Sequence, residues 1–302
     1  MHGPDPNRAQ ASPFDKLRAP SRSGDAPLHM ARAEKCIALR SFSVVCSRLL
    51  MRLRHLLACL MLTPLLASAA PYTALRDGES LLFRVSWGIF LHAGDVRISA
   101  RREVIDGRAV FRISMVTSSR GLLRGFYPYD DHADAIIDEA TGRIVSARDV
   151  GTADDKTVSD TETLFDYTKH VATHTDKARP ERNHEFPIPA GDPVDLLSAL
   201  VQTREWQAQA GDKRAVVIYV GNDLYPVTLS AEGYDQVRTP QGDRRALRLV
   251  PRMDTAEPRG IFKRGGEIKV WVSQDGDRQP VKMQLKLKFG TAMLTLMEHR
   301  TP

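Results

Sequence analysis

The stretch Pro280–Phe289, PVKMQLKLKF, constrains the fold more than any other part of the chain. Val281, Met283, Leu285, Leu287 and Phe289 occupy one phase, and Lys282, Gln284, Lys286 and Lys288 the other. Successive strand side chains point to opposite faces, so this is a strand with one dry and one wet side. Such a strand belongs in an antiparallel sheet covered on one side only. The lysines also discourage edge pairing with another chain.

The same alternation recurs along most of the chain. In Gly78–Phe90, Leu81, Phe83, Val85, Trp87 and Ile89 share a phase, and His92-Ala93-Gly94 reads as the turn that follows. Val96, Ile98 and Ala100 share one face of the return strand, and Asp106-Gly107 is a two-residue hairpin signal. Val110–Thr117 follows, then a short helical turn in Ser118–Phe126. More polar strands are expected at Asp130–Asp138, Arg143–Val150, Thr157–Tyr167 and His170–Thr175. Ala215–Val220, Leu224–Ala231, Ala246–Pro251, Ile268–Ser273 and Thr291–Glu298 bring the candidate segments to thirteen, from which about ten to twelve strands are expected.

One long helix interrupts them, Asp192–Trp206. Asp192 is placed to cap the first turn, Pro193 sits where a missing N–H does no harm, and Asp195 suits the helix dipole. Val194, Leu197 and Val201 make one face, widened by Leu196 and Leu200. The expected fold is mainly β: a single strongly curved antiparallel sheet or open barrel, with this main helix packed against its concave face.

Residues 51–69, MRLRHLLACLMLTPLLASA, have a basic start, an apolar run and a small-residue end, the pattern of a cleavable export signal. Residues 1–50 carry no sustained period and read as an extension outside the folded protein. Leu56-Leu57-Ala58-Cys59 has the form of a lipobox, but its apolar residues come mostly after Cys59, so no lipid anchor is expected. Residues 1–69 hold 10 basic and 4 acidic side chains, leaving 33 of each in 70–302. The excess positive charge thus belongs to the leader and gives no argument for nucleic acid. All three cysteines, Cys36, Cys46 and Cys59, also precede residue 70, which excludes thiol chemistry from the expected mature domain. No later apolar run is long enough for a transmembrane helix. A single β-rich periplasmic domain over 70–302 is expected, with no cofactor.

Motifs for chemistry are few. There is no nucleophile elbow, P-loop, dinucleotide fingerprint or zinc-protease motif. His170 and His174, four apart on a strand, are about 13 Å from each other. Asp130-Asp131-His132 has residue types suited to acid–base work, but neighbours on a strand face opposite ways. Asp154-Asp155 reads as a turn, and Phe262–Gly266 as a solvated basic loop.

Several features together resemble the bacterial periplasmic family known as domain of unknown function 3108. They are Gly78-Glu79-Ser80-Leu81 with Phe83-x-Val85-x-Trp87-Gly88, Asp192–Leu200, Val270-Trp271-Val272-Ser273, Pro280-Val281-Lys282 and Phe289-Gly290, spread over Gly78 to Glu298. The family has no assigned reaction, so the resemblance implies no catalytic residue. It also suggests, by analogy of fold, the periplasmic lipoprotein carriers LolA and LolB.

From these readings we expect a non-enzymatic periplasmic protein that binds an apolar or amphipathic, lipid-like envelope ligand or a lipoprotein. The expected cavity wall is Phe83, Val85, Trp87, Leu197, Leu200, Val201, Tyr219, Trp271, Leu285 and Phe289. A module that binds an envelope protein, with no small ligand, is the alternative.

Overall fold

The computed structural model describes residues 74–302, apart from 256, 264, 265, 288 and 289. They belong to one compact unit, Ala67–Pro302. Residues 1–69, with the expected signal and the lipobox, lie outside the described residues.

The first half of the unit is a meander. Its strands are β1 (Ser80–Trp87), β2 (Phe90–Ile105), β3 (Arg108–Ser119), β4 (Tyr129–Asp138), β5 (Ile144–Ala153), β6 (Lys156–Asp166), β7 (Val171–Asp176) and β8 (His184–Pro187). The six-residue helix α1 (Gly121–Phe126) joins β3 to β4 where a short helical turn was expected. After β9 (Val194–Asp195) and helix α2 (Leu196–Gln202) the strands resume. They are β10 (Lys213–Val220), β11 (Asp223–Thr239), β12 (Gly242–Arg252), β13 (Glu267–Ser273), β14 (Pro280–Leu287) and β15 (Gly290–Arg300). All fifteen lie in one sheet, ordered β8-β7-β6-β5-β4-β3-β2-β1-β15-β14-β13-β12-β11-β10-β9. Every pairing is antiparallel except β9 with β10.

Turn chemistry sets most of the registers. Asp106 and Gly107 take φ of 48° and 76° and pair Ile105 with Arg108, as the hairpin signal required. Asp154 and Asp155, at 49° and 58°, do the same between β5 and β6 without a glycine. The first hairpin departs from expectation. Its turn is Gly88-Ile89, with Trp87 opposite Phe90, and His92–Gly94 continue the strand. Gly88 supplies the positive φ, 55°. Gly94 serves close approach instead: a Cβ there would lie 2.7 Å from the Ser118 carbonyl oxygen. Ile89 is therefore exposed at the tip and does not join the inward phase.

The long helix is also corrected. α2 has only seven residues, because Val194-Asp195 pairs with Ile218-Tyr219 as a strand. Asp192, placed as the cap by sequence, is held 2.8 Å from Arg143. The cap is Asp195, whose Oδ1 accepts the Ser198 amide at 2.9 Å. The far end stops where the Thr203 hydroxyl donates to the Leu200 carbonyl at 2.6 Å. Leu200 and Val201 are buried, while Leu196 is partly exposed. Phe262, expected in a solvated loop, is buried against Tyr225, with ring centres 5.7 Å apart.

The sheet stays open: no backbone bonds join β8 to β9 or β10. Side chains bring its two ends together. Tyr219 on β10 meets the Thr163 hydroxyl of β6 at 2.6 Å, the edge of Phe165 at 5.3 Å and the face of Phe186 on β8 at 6.4 Å. The His184 ring adds a bond of its own, Nε2 to the Asn222 carbonyl at 3.1 Å. The sheet is thus rolled, with an aromatic seam where a barrel would have a ladder.

A buried clasp fastens the start of β1 to the end of β15. Glu79 is fully buried and accepts from Arg204 at 2.8 Å and the Arg76 amide at 2.9 Å, with His299 at 2.6 Å. Arg204, just past α2, also donates to the Ala74 carbonyl at 3.0 Å.

Candidate functional site

The rolled sheet leaves a cavity of about 950 Å³, bounded by β2, β3, β10, β11, β13, β14, β15 and α2. That lies at the upper end of ordinary small-molecule sites, roughly 300–1,000 Å³. Its wall is mostly aliphatic. Val96 and Ile98 come from β2, Met115 from β3, Ile268 and Val270 from β13, Met283 and Leu285 from β14, and Leu294 from β15. α2 adds Leu196, Ala199 and Leu200. Polar groups are fewer: Asp192, Gln202, Glu205, Arg214 and Asp254 share the wall with several threonines.

Strand phase explains the wall. Met283 and Leu285 alternate with Lys282, Gln284 and Lys286, as the sequence of β14 dictates. On β13, Ile268 and Val270 face the cavity, so Trp271 is one residue out of phase. Its indole donates to Asp235 at 2.7 Å and lies 5.1 Å from the Lys282 ammonium.

Of the side chains expected to form the wall, Leu200 and Leu285 do so. Phe83 and Val201 are fully buried in the packed core, and Val85 packs against that core. Trp87 lies over Gly290, where a Cβ would come 2.6 Å from its indole nitrogen. Tyr219 belongs to the seam. Phe289 and the Leu197 side chain lie outside the described structure. Aromatic type was the signal used for Trp271 and Tyr219; the aliphatic phase of β13 and β14 was the better guide. Among the described residues the wall has a single aromatic, Trp206, which sequence reasoning placed only as the end of the helix.

A second group lies in the sheet wall. Asp131 faces Gly151 and Ala133 faces Asp149, so the Asp131 and Asp149 carboxyls sit diagonally on one face of β4 and β5. Burial, then the Asp149 charge, pushes the Asp131 carboxyl up to about 7. Burial, then Asp131, also raises the Tyr129 phenol. The Asp131 Oδ1 is buried without a hydrogen-bond partner. His132 points to the other face, as strand alternation required, and meets Asp134 at 3.2 Å. Sequence reasoning singled out Asp131 and missed Asp149, whose partnership depends on the β4–β5 register. In the seam, His174 and His184 face each other across β7 and β8, with ring centres 5.4 Å apart. Burial first, then His184, holds the His174 imidazole below its ordinary value. Among the described residues no group of three His, Cys, Asp or Glu side chains converges as a metal site, and no helix is long and apolar enough to cross a membrane.

A rolled, unclosed antiparallel sheet around an apolar cavity defines a β-rich cavity protein. Residues 82–297 match the family described as Protein of unknown function (DUF3108), and the chain belongs to that family. A crystal structure of a beta-barrel-like protein of domain of unknown function DUF1849, from Brucella abortus, is similar at TM-score 0.46 and 8% identity, over 74% of this chain and 97% of that one. A lipoprotein candidate from Parabacteroides distasonis is similar at TM-score 0.30 and 12% identity, over 77% of this chain and 98% of that one. No curated protein matches.

Proposed function

We propose that the chain is a non-enzymatic cell-envelope protein that holds a lipid-like ligand in the cavity between α2 and the inner faces of β13 and β14. The observation that carries this reading is a 950 Å³ space walled by aliphatic side chains. Hydrocarbon transferred from water to such a wall gains about 0.8 kcal/mol for each buried methylene. A long acyl chain gains most from it, and the few polar wall residues then meet the ligand's polar end. The sequence of residues 51–69 supports export to the periplasm as the compartment. The helix forms one side of the wall in this reading: Ala199 and Leu200 touch the cavity from a segment capped by Asp195.

The test is displacement of dansyl-undecanoic acid by palmitate, measured by fluorescence on the wild type and on Leu285→Asp and Val270→Asp. A buried carboxylate in the wall weakens probe binding by roughly tenfold or more. Lys286→Asp, on the opposite phase, leaves it unchanged. Equal binding by all four proteins would place the probe elsewhere and defeat the reading.

A further inference from the structure

Five of the most exposed large apolar side chains among the described residues fall at one place: Ile89, Leu91, Leu122, Phe126 and Tyr127. Ile89 and Leu91 are 89% and 84% exposed at the β1–β2 tip, and Leu122 and Phe126 are 76% and 80% exposed on α1. The two elements are fastened side by side. The Arg120 amide donates to the Ala93 carbonyl at 2.8 Å, and a Cβ on Gly121 would lie 2.9 Å from the His92 carbonyl oxygen. No residue of α1 is buried in its own fold. A helix of six residues gains little stability from its own hydrogen bonds. The Leu122 and Phe126 side chains therefore add little burial to the fold where they stand, and their burial must come from outside.

We propose that the β1–β2 tip and α1 form a docking surface for a lipid bilayer, entered by Ile89, Leu91, Leu122 and Phe126. Two features select a bilayer over a protein partner. The first is size: a stable protein interface takes about 800 Å² and roughly 20–30 residues from each side. A two-residue turn and a six-residue helix are far short of that, whereas a few apolar side chains suffice to seat a surface in the headgroup–acyl boundary. The second is the charge arrangement behind the apolar tips. Arg120 pairs with Asp95 at 3.0 Å, His92 with Asp95 at 2.8 Å and Arg124 with Asp130 at 2.8 Å, and Asp155 lies near Arg124. These pairs leave the groups just behind the tip close to neutral, so docking runs through apolar insertion and does not need anionic lipid. The stacked rings of Tyr127 and Tyr129, 6.0 Å apart, lie where the headgroups would begin.

The surface shares no side chain with the cavity wall, and its test reads it separately. In a chain with Cys36, Cys46 and Cys59 replaced by serine, an environment-sensitive nitrobenzoxadiazole label is attached at Ile89→Cys, at Phe126→Cys, or at Val104→Cys, an exposed control at the far end of β2. Phosphatidylcholine vesicles are expected to shift the emission of the first two labels to the blue and leave the third unchanged, at low and at high salt alike. Leu122→Ser in the Ile89→Cys background should weaken that partition by several-fold. No shift at positions 89 and 126, an equal shift at 104, or a shift that needs phosphatidylglycerol and vanishes with salt would overturn the proposal. A shift that grows with protein concentration in the absence of vesicles would overturn it too, by showing that a second copy covers the patch. Failure of these labels leaves the soluble-probe displacement untouched, and failure of the displacement leaves the labels untouched.

Discussion

Two buried carboxyls make opposite demands on pH. Burial would raise Glu79, but the Arg76 amide, His299 and Arg204 outweigh it and hold the carboxyl below its usual range. Its contribution is complete above the unfolded value, about 4.3, and is lost as pH falls. Asp131 behaves in the other sense. Its folded value, about 7, lies above the unfolded one, so the folded chain binds more protons between about 4 and 7 and loses stability as pH rises through that window. Asp131→Asn removes the repulsion with Asp149 and is expected to raise the melting temperature at pH 8 and change it little at pH 4. A uniform shift at both values would show that Asp131 does not titrate in this way. Glu79→Ala leaves Arg204 facing a buried void and should cost about 3–5 kcal/mol by urea unfolding. A loss below about 1 kcal/mol, the range of an exposed pair, would remove the clasp from the account.

At the scale of elements, the chain shows which signals travel through local chemistry and which do not. The β14 alternation, the Asp106-Gly107 hairpin and the Asp154-Asp155 turn were legible because each depends on two to ten consecutive residues. The first turn was misplaced because two glycines, Gly88 and Gly94, look alike in sequence; only the approach of Ser118 separates their tasks. The helix was drawn too long because Asp192 and Asp195 are both good caps, and the choice fell to tertiary contacts with Arg143 and β10. Two predictions belong here. Asp195→Ala should cost about 1 kcal/mol through the lost cap, whereas Asp192→Ala should cost well under that, as its Arg143 pair is exposed; equal losses in urea melts would restore the longer helix. Gly94→Ala forces the Ser118 carbonyl aside and should cost on the order of 1–3 kcal/mol, while Gly125→Ala, which meets nothing within 4 Å, should be tolerated.

On the scale of the whole molecule, a mainly β chain with one curved sheet was readable from the sequence, and the described residues hold fifteen strands where about ten to twelve were expected. The short additions, β8 and β9, have too few residues to carry a period, and they are the two edges of the sheet. The cavity wall was legible only in part, since strand phase gives the face but not the residues that meet across a rolled sheet. Phe83 and Val201 are as apolar as Leu285, yet they are packed solid. The account rests on hydrocarbon entering that space. Met115 and Met283 line the cavity, while Met293 and Met297 on β15 are out of phase with Leu294, which also lines it. The decisive measurement is a carbon-13 methionine-methyl NMR titration with stearate carrying a nitroxide on its chain. The account predicts that the Met115 and Met283 methyls broaden first and most strongly. Equal broadening of all four, or stronger loss at Met293 and Met297, would contradict it.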